Sequence, residues 1–448
     1  MTSLTLDSAL ETFSQRFAAS AAYSKEGAER IPGGYSRSSF NFGPHAIFVE
    51  GGEGARIDTV DGVRMLDLNN NFTVNVLGHG HPAIREALLE AIPGGFSFGN
   101  PGALENRLAG ILIDRIPSVE KVQFSCSATE SCMSALRIAR GYTGRSRYAK
   151  FEGGYHGFSD ALHISSHTGP DDDGGSETDP APVPDSGGIP ANDVANCVML
   201  PQNDWASCER ILRANAPELA CLIMELQSGA GGLVALDRDF VARLRELTEE
   251  LGILMIFDET ISLRAGYHGA QGLYGVTPDL TVMGKMIGGG MPLGAVGGRA
   301  EVMSVLETGA VSISGTHHGH KLSLAAGIAC METMDRAAFE RLNACAERII
   351  AEVGEWAGRT GAPFAVYGAG YSHLAYGCFT GPERETRNHR DYWRLIDAER
   401  TQTVSLELAN RGIFPVHRGE FSLSLPMSDD DISEIIAAFT GVVAELAA

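Results

Sequence analysis

From residue 121 onward the chain alternates two hydrophobic patterns. Short segments at 121–125, 148–151, 221–225 and 253–257, the last a continuous apolar run, read as strands. Between them, apolar residues recur every three or four positions, which reads as helix. The clearest case is 238–251, where Phe240, Leu244, Leu247 and Leu251 share one face and Gly252 supplies the stop. This alternation predicts an α/β fold, a parallel sheet covered by helices. Upstream, the first 30 residues read as helical and stop at Pro32-Gly33-Gly34. Pieces at 46–50, 55–58 and 64–68 read as strands, the last two joined through a hairpin turn at Val60-Asp61-Gly62-Val63. Helices are expected at 83–91, 300–306 and 322–334. The last helix starts at Ser428, carries Asp429, Asp430 and Asp431 in its first turn, and buries Ile432, Ile435, Ile436, Phe439, Val443 and Leu446. Residues 169–193 are rich in Asp, Gly and Pro and hold too few large apolar side chains to pack, so they read as a mobile surface loop. The expected division is an N-terminal segment, 1–75, that contributes to a small domain and the substrate site, a large domain, 76–334, and a C-terminal small α+β domain, 335–448.

Composition narrows the partners. With 448 residues, 44% of them hydrophobic, a large core is available. A formal net charge of -21 argues against nucleic acid or an anionic membrane surface. No apolar run approaches the ~20 residues that span a bilayer, and the start lacks the basic and apolar regions of a signal peptide. The eight cysteines are scattered without a C-x-x-C pair and read as reduced thiols. Together these predict a cytoplasmic protein.

The chemistry concentrates in 253–298. An apolar strand ends in Asp258 and Glu259, and Lys285 follows in a glycine-rich loop. An acid at a buried strand end and a lysine among glycines are the two groups that a pyridoxal phosphate (PLP) enzyme requires: the amine joins the cofactor aldehyde, and the acid keeps the ring nitrogen protonated. Taken singly, Asp258 is an ordinary strand-end acid and Lys285 a solvated loop lysine. Ser127-Ala128-Thr129-Glu130 has the form of a capping box at a helix start, where free N–H groups and the helix dipole favour a phosphate. Tyr155, after Gly153-Gly154, offers a ring to stack on a flat cofactor, or merely packs in the loop. His317, His318 and His320 lack partners at metal-ligand spacing, so no metal is expected. No G-x-x-x-x-G-K-[ST] motif is present.

Four stretches together resemble the class III, fold-type I PLP aminotransferases, in the branch shared with glutamate-1-semialdehyde aminomutase. They are Val122-Gln123-Phe124-Ser125-Cys126-Ser127-Ala128-Thr129-Glu130, Lys150-Phe151-Glu152-Gly153-Gly154-Tyr155-His156-Gly157, Phe257-Asp258-Glu259, and Gly284-Lys285-Met286-Ile287-Gly288-Gly289-Gly290-Met291-Pro292. The resemblance implies a large domain with a mostly parallel, seven-stranded sheet between helices, plus a smaller α+β domain. It implies Lys285 and Asp258 as catalytic residues, and Ser127, Ala128, Thr129, Tyr155, Glu225, Thr260 and Thr316 as further cofactor contacts. Thr316 would come from the neighbouring subunit of a homodimer with shared active sites. The chain departs from the family pattern at Ala128 for the usual glycine, Leu226 for the proline after Glu225, and Thr260 for a valine. Pro32-Gly33-Gly34-Tyr35-Ser36-Arg37 is similar to the segment by which β-amino-acid aminotransferases grip a substrate carboxylate, His417-Arg418-Gly419 to where they hold the keto-acid acceptor, and Arg264 also matches that branch; guanidinium groups grip carboxylates by paired hydrogen bonds. Arg37 and Arg418 would otherwise be structural ion-pair partners. The expected activity is transfer of an amino group from an amino acid, a β-amino acid by this resemblance, to pyruvate or 2-oxoglutarate. The alternatives are an intramolecular aminomutase of the glutamate-semialdehyde type and a non-catalytic PLP-binding protein.

Overall fold

The computed structural model describes residues 4–41 and 43–446. The chain forms two compact units. The larger comprises residues 83–339 and 385–394; the smaller comprises 1–82, 340–384 and 395–448.

The larger unit is built on a seven-stranded sheet. Its strands are β1 (Lys121–Ser125), β2 (Arg147–Phe151), β3 (Cys197–Leu200), β4 (Leu219–Met224), β5 (Leu254–Asp258), β6 (Leu280–Met283) and β7 (Gly294–Gly298), in the order β1-β7-β6-β5-β4-β2-β3. Strand β7 runs antiparallel to both β6 and β1, and the other neighbours are parallel. This is the mostly parallel sheet that the sequence predicts. β4, β5 and β6 are buried at every position, as strands covered on both faces must be. The helix Arg238–Leu251 ends where expected, with Gly252 left-handed at φ 62. Strands β3, β6 and β7 were not foreseen. Two are only four residues long, and Gly-Ala-Val-Gly-Gly carries little strand propensity; its pairing with β1 and β6 decides.

The 169–193 segment carries one short two-stranded pairing, Gly175–Ser176 with Asp179–Pro180, and an isolated bridge from Pro184 to Ile164. Polar contacts hold it where the expectation was a mobile loop. Arg390 donates to Gly174 O and Gly175 O at 2.7 and 3.0 Å, Arg394 pairs with Glu177 at 2.9 Å, and Arg210 with Asp179 at 3.3 Å. Charge and backbone acceptors replace the apolar contacts that its composition lacks.

In the smaller unit, Val49–Glu53, Arg56–Thr59, Arg64–Asp67 and Ile413–Phe414 form one sheet, and Phe364–Tyr367, His373–Cys378 and Glu420–Ser422 another. The hairpin turn is present, with Gly62 at φ 72; the strand before it begins at Arg56, one residue later than expected, and the strand before that at Val49, three later. Phe13, Phe17, Ile57, Met65 and Leu406 form one core of this unit. The last helix, Asp429–Leu446, buries Val442 in addition to Ile432, Ile435, Phe439 and Val443, and leaves Ile436 half-exposed. No helix among the described residues is long and apolar enough to cross a membrane.

Candidate active site

The functional side chains of the larger unit sit at the C-terminal ends of its parallel strands, the position where α/β sheets bind ligands. Asp258 ends β5, Glu225 follows β4, Tyr155 and His156 follow β2, the helix Ala128–Thr143 follows β1, and Lys285 follows β6. Each strand is fixed by its neighbours' register, so the loops converge.

Asp258 is the centre. It is 4% exposed. Its Oδ2 accepts from His156 Nδ1 at 3.0 Å and from Cys132 Sγ at 3.3 Å, and its Oδ1 accepts from Thr260 N at 3.0 Å. Burial alone would raise its proton affinity, but the His156 and Thr260 interactions together outweigh it and hold the carboxyl below its ordinary value. Burial lowers the basicity of His156 and pushes the Cys132 thiol up, so Cys132 stays a donor. A buried, ionised carboxylate requires a cationic partner or several donors.

Glu225 behaves oppositely. Burial and the charge of Asp258 push it up to about 8, against the pull of its bonds from Tyr155 N at 2.8 Å and Gly229 N at 3.2 Å. The second acid of the pair, Glu259, is fully buried and structural: it accepts from Ala270 N, Gln271 N and Gln271 Nε2 at 2.6, 3.0 and 2.9 Å.

The helix start has the expected N-cap, with Ser127 Oγ accepting from Glu130 N at 3.2 Å. The Glu130 carboxylate reaches Cys126 N at 2.6 Å, one residue beyond the usual box. Glycines crowd this start. A Cβ at Gly294 would lie 2.2 Å from Ser127 O, and one at Gly157 2.6 Å from Thr129 Oγ1. At Gly284 a Cβ would lie 2.9 Å from Ala128 Cβ and 3.4 Å from Thr260 Cγ2. So Gly284, just before Lys285, packs close to both the helix start and Thr260. Lys285 itself is half-buried and has φ 52, a left-handed placement that a non-glycine residue adopts only under constraint. The cradle of helix N–H groups, a buried anion and an amine matches the phosphate, ring nitrogen and aldehyde of PLP, and the residues present fit that group.

Tyr155 is 37% exposed, with His163 and His167 edge-on at 6.2 and 5.9 Å. Thr316 lies in the loop whose His318 reaches Glu130 at 3.7 Å. With Phe96, Phe98 and Glu105 it lines a cavity of about 510 Å³. Arg264 is buried at 1% exposure in the short turn Ser262–Ala265. His318 joins Cys126 and Glu130 in a group whose possible ligand atoms lie within 4.8 Å of one another.

The other two predicted arginines belong to the smaller unit and share a ring there. The Arg37 guanidinium lies 4.9 Å, and that of Arg418 5.7 Å, from the centre of Phe72. Arg37 also donates to Asn71 Oδ1 at 2.8 Å, and Arg418 to the buried Glu420 at 2.6 Å. Asn70, Asn71, Phe72 and Thr73 all have positive φ, from 47 to 75°. Such placements cost ~1–2 kcal/mol per non-glycine residue. Phe72, His156 and Cys132 carry no predicted role. His156 adjoins Tyr155 and was within reach of the motif; Phe72 has no local signal.

Comparison with known proteins gives a consistent picture. The family model Aminotransferase class-III matches residues 38–370. A glutamate-1-semialdehyde 2,1-aminomutase of Desulforapulum autotrophicum is 37% identical over 435 residues, 95% of this chain and 99% of that protein. An omega-transaminase from Sphaerobacter thermophilus has a TM-score of 0.90 at 36% identity, covering 96% of this chain and 98% of that one. A β-phenylalanine aminotransferase from Variovorax paradoxus has a TM-score of 0.87 at 31% identity, covering 98% and 96%.

Proposed function

The chain belongs to the class-III aminotransferases, a PLP-dependent enzyme family, and from that premise we propose that it moves an amino group on a substrate bearing a carboxylate. The observation that carries this reading is Asp258: a buried carboxyl held ionised by His156, Cys132 and Thr260 beside the strained Lys285 turn. When bound, PLP supplies the electron sink that makes the substrate's carbon–hydrogen bond acidic. The chain's own residues do the rest. Asp258 holds positive charge at the ring nitrogen. The free N–H groups after Ser127, with Ala128 and Thr129, hold the phosphate. Tyr155 and Thr260 would contact the ring, and Glu225, neutral below about pH 8, avoids a second negative charge beside Asp258. The Lys285 amine anchors the cofactor and moves the proton at the substrate carbon. Arg37, Arg264 and Arg418 are the candidate carboxylate-binding arginines. Thr316 reaches the phosphate of a second copy in a homodimer.

Two finer readings compete. The names of the curated relatives support an intramolecular 2,1 shift better. Transfer from a β-amino acid to pyruvate or 2-oxoglutarate, which the sequence put first, is supported by the Arg37 segment and by the Sphaerobacter and Variovorax transaminases. Purified protein incubated with glutamate 1-semialdehyde, with and without keto acid, and with β-amino donors separates them. Consumption of the semialdehyde without keto acid establishes the shift. Conversion of the cofactor absorbance by a β-amino donor, with turnover only when keto acid is added, establishes transamination. If no donor changes the absorbance, the amino-transfer reading fails.

A further inference from the structure

The left-handed turn Asn70–Thr73 is an unusual construction. Four consecutive non-glycine residues hold φ values of 47, 50, 53 and 75°, where asparagine is tolerated but phenylalanine and threonine are not. The turn is pinned from several sides. Asp67 Oδ1 accepts from Asn69 N and Asn70 N, both at 2.9 Å; Asn69 Oδ1 accepts from Phe72 N at 3.0 Å; and the fully buried Asn70 amide donates to Ser422 O at 2.8 Å. Asp67 is in turn held by His79 at 2.7 Å. Strain retained by such over-determination marks a working segment. Asn71 accepts a hydrogen bond from Arg37, and the half-buried Phe72 ring lies under both Arg37 and Arg418, with the exposed Phe40 ring also 4.7 Å from the Arg37 guanidinium.

We propose that this turn is the specificity element of the smaller unit, with Phe72 and Asn71 as positioning residues that orient the Arg37 guanidinium for the carboxylate of an amino-acid substrate. The inference rests on the reading that Arg37 takes that carboxylate. An aromatic face orients a guanidinium by cation–π attraction. The neutral Asn71 amide fixes one N–H without neutralising the charge. The ligand class is a carboxylate on a short chain, against an amine that lacks one.

The test uses holoenzyme of the wild type, Phe72→Leu, Phe72→Trp and Asn71→Gly. Leucine removes the ring face and keeps bulk; tryptophan restores a face; glycine accepts positive φ without strain and deletes the amide. The readout is the KM for 3-aminobutanoate divided by that for 1-phenylethylamine, a donor without carboxylate, together with calorimetric binding of the unreactive carboxylate 3-phenylpropionate. Phe72→Leu and Asn71→Gly should raise the KM ratio and weaken 3-phenylpropionate by about five- to tenfold, and Phe72→Trp should return both toward wild type. Unchanged ratios and affinities in Phe72→Leu, or failure of Trp to rescue, overturn the proposal. If neither amine is turned over even by the wild type, the transamination reading fails, and calorimetry alone decides the role of the turn.

Discussion

Arg390→Ala tests how the loop leading to Tyr155 is held. Arg390 makes a two-pronged ion pair with Glu152, Nε to Oε2 at 2.8 Å and Nη2 to Oε1 at 3.0 Å, besides its bonds to Gly174 O and Gly175 O. The Glu152 side chain is only 6% exposed and that of Arg390 18%. Removing one partner of a fully buried pair costs about 3–5 kcal/mol, because a charge is left without compensation; a surface pair contributes about 0–1 kcal/mol. Water reaches part of Arg390, so the expected loss is about 2–3 kcal/mol. Glu152→Gln, which removes the charge and keeps the shape, should cost about 1 kcal/mol, and the double variant should fall short of the sum of the two by at least about 1 kcal/mol. Urea unfolding gives these values from the shift in midpoint at constant slope. Limited proteolysis should also cut 169–185 faster in Arg390→Ala. A loss below about 0.5 kcal/mol, or strictly additive variants, would refute the argument that this pair holds the loop.

Further outcomes follow from the larger unit. Lys285→Ala should lose the covalent attachment of PLP, seen as absence of the borohydride-fixed mass increment; a retained increment at another lysine would reassign the anchor. Glu225 is raised from 4.5 to about 8 in the fold, so between those values the native carboxyl is protonated and the unfolded one ionised. Its contribution is fully present below pH 4.5 and is lost as pH rises through about 8, at up to about 1.4 kcal/mol per unit. In apoprotein the urea midpoint should therefore fall from pH 5.5 to 8 more steeply in the wild type than in Glu225→Gln; equal slopes would exclude the buried neutral acid. Gly294→Ala places a Cβ 2.2 Å from Ser127 O and should cost about 1–3 kcal/mol while weakening PLP in a fluorescence titration; an unaltered affinity would separate the helix start from phosphate binding.

The sequence by itself determined the α/β class and four of the seven strands of the large sheet. Buried strands such as Leu254–Asp258 announce themselves as apolar runs, and the residues just beyond them, Asp258, Glu225 and Tyr155, are fixed by chain connectivity to one end of the sheet. Periodicity likewise gave the Arg238–Leu251 helix, because its apolar stripe is local information. What only the tertiary structure decided are contacts between residues far apart in the chain. Strand β7 exists through its neighbours, not through Gly-Ala-Val-Gly-Gly. Arg390 meets Glu152 across 238 positions. His156 and Cys132 converge on one oxygen of Asp258, and opposite protonation of Asp258 and Glu225 follows from burial and donor count, which no linear pattern encodes. The left-handed turn under Arg37 and Arg418 is the extreme case. Local propensity opposes it, and it persists because Asp67, Asn69 and Ser422, drawn from two distant parts of the chain, hold it in place.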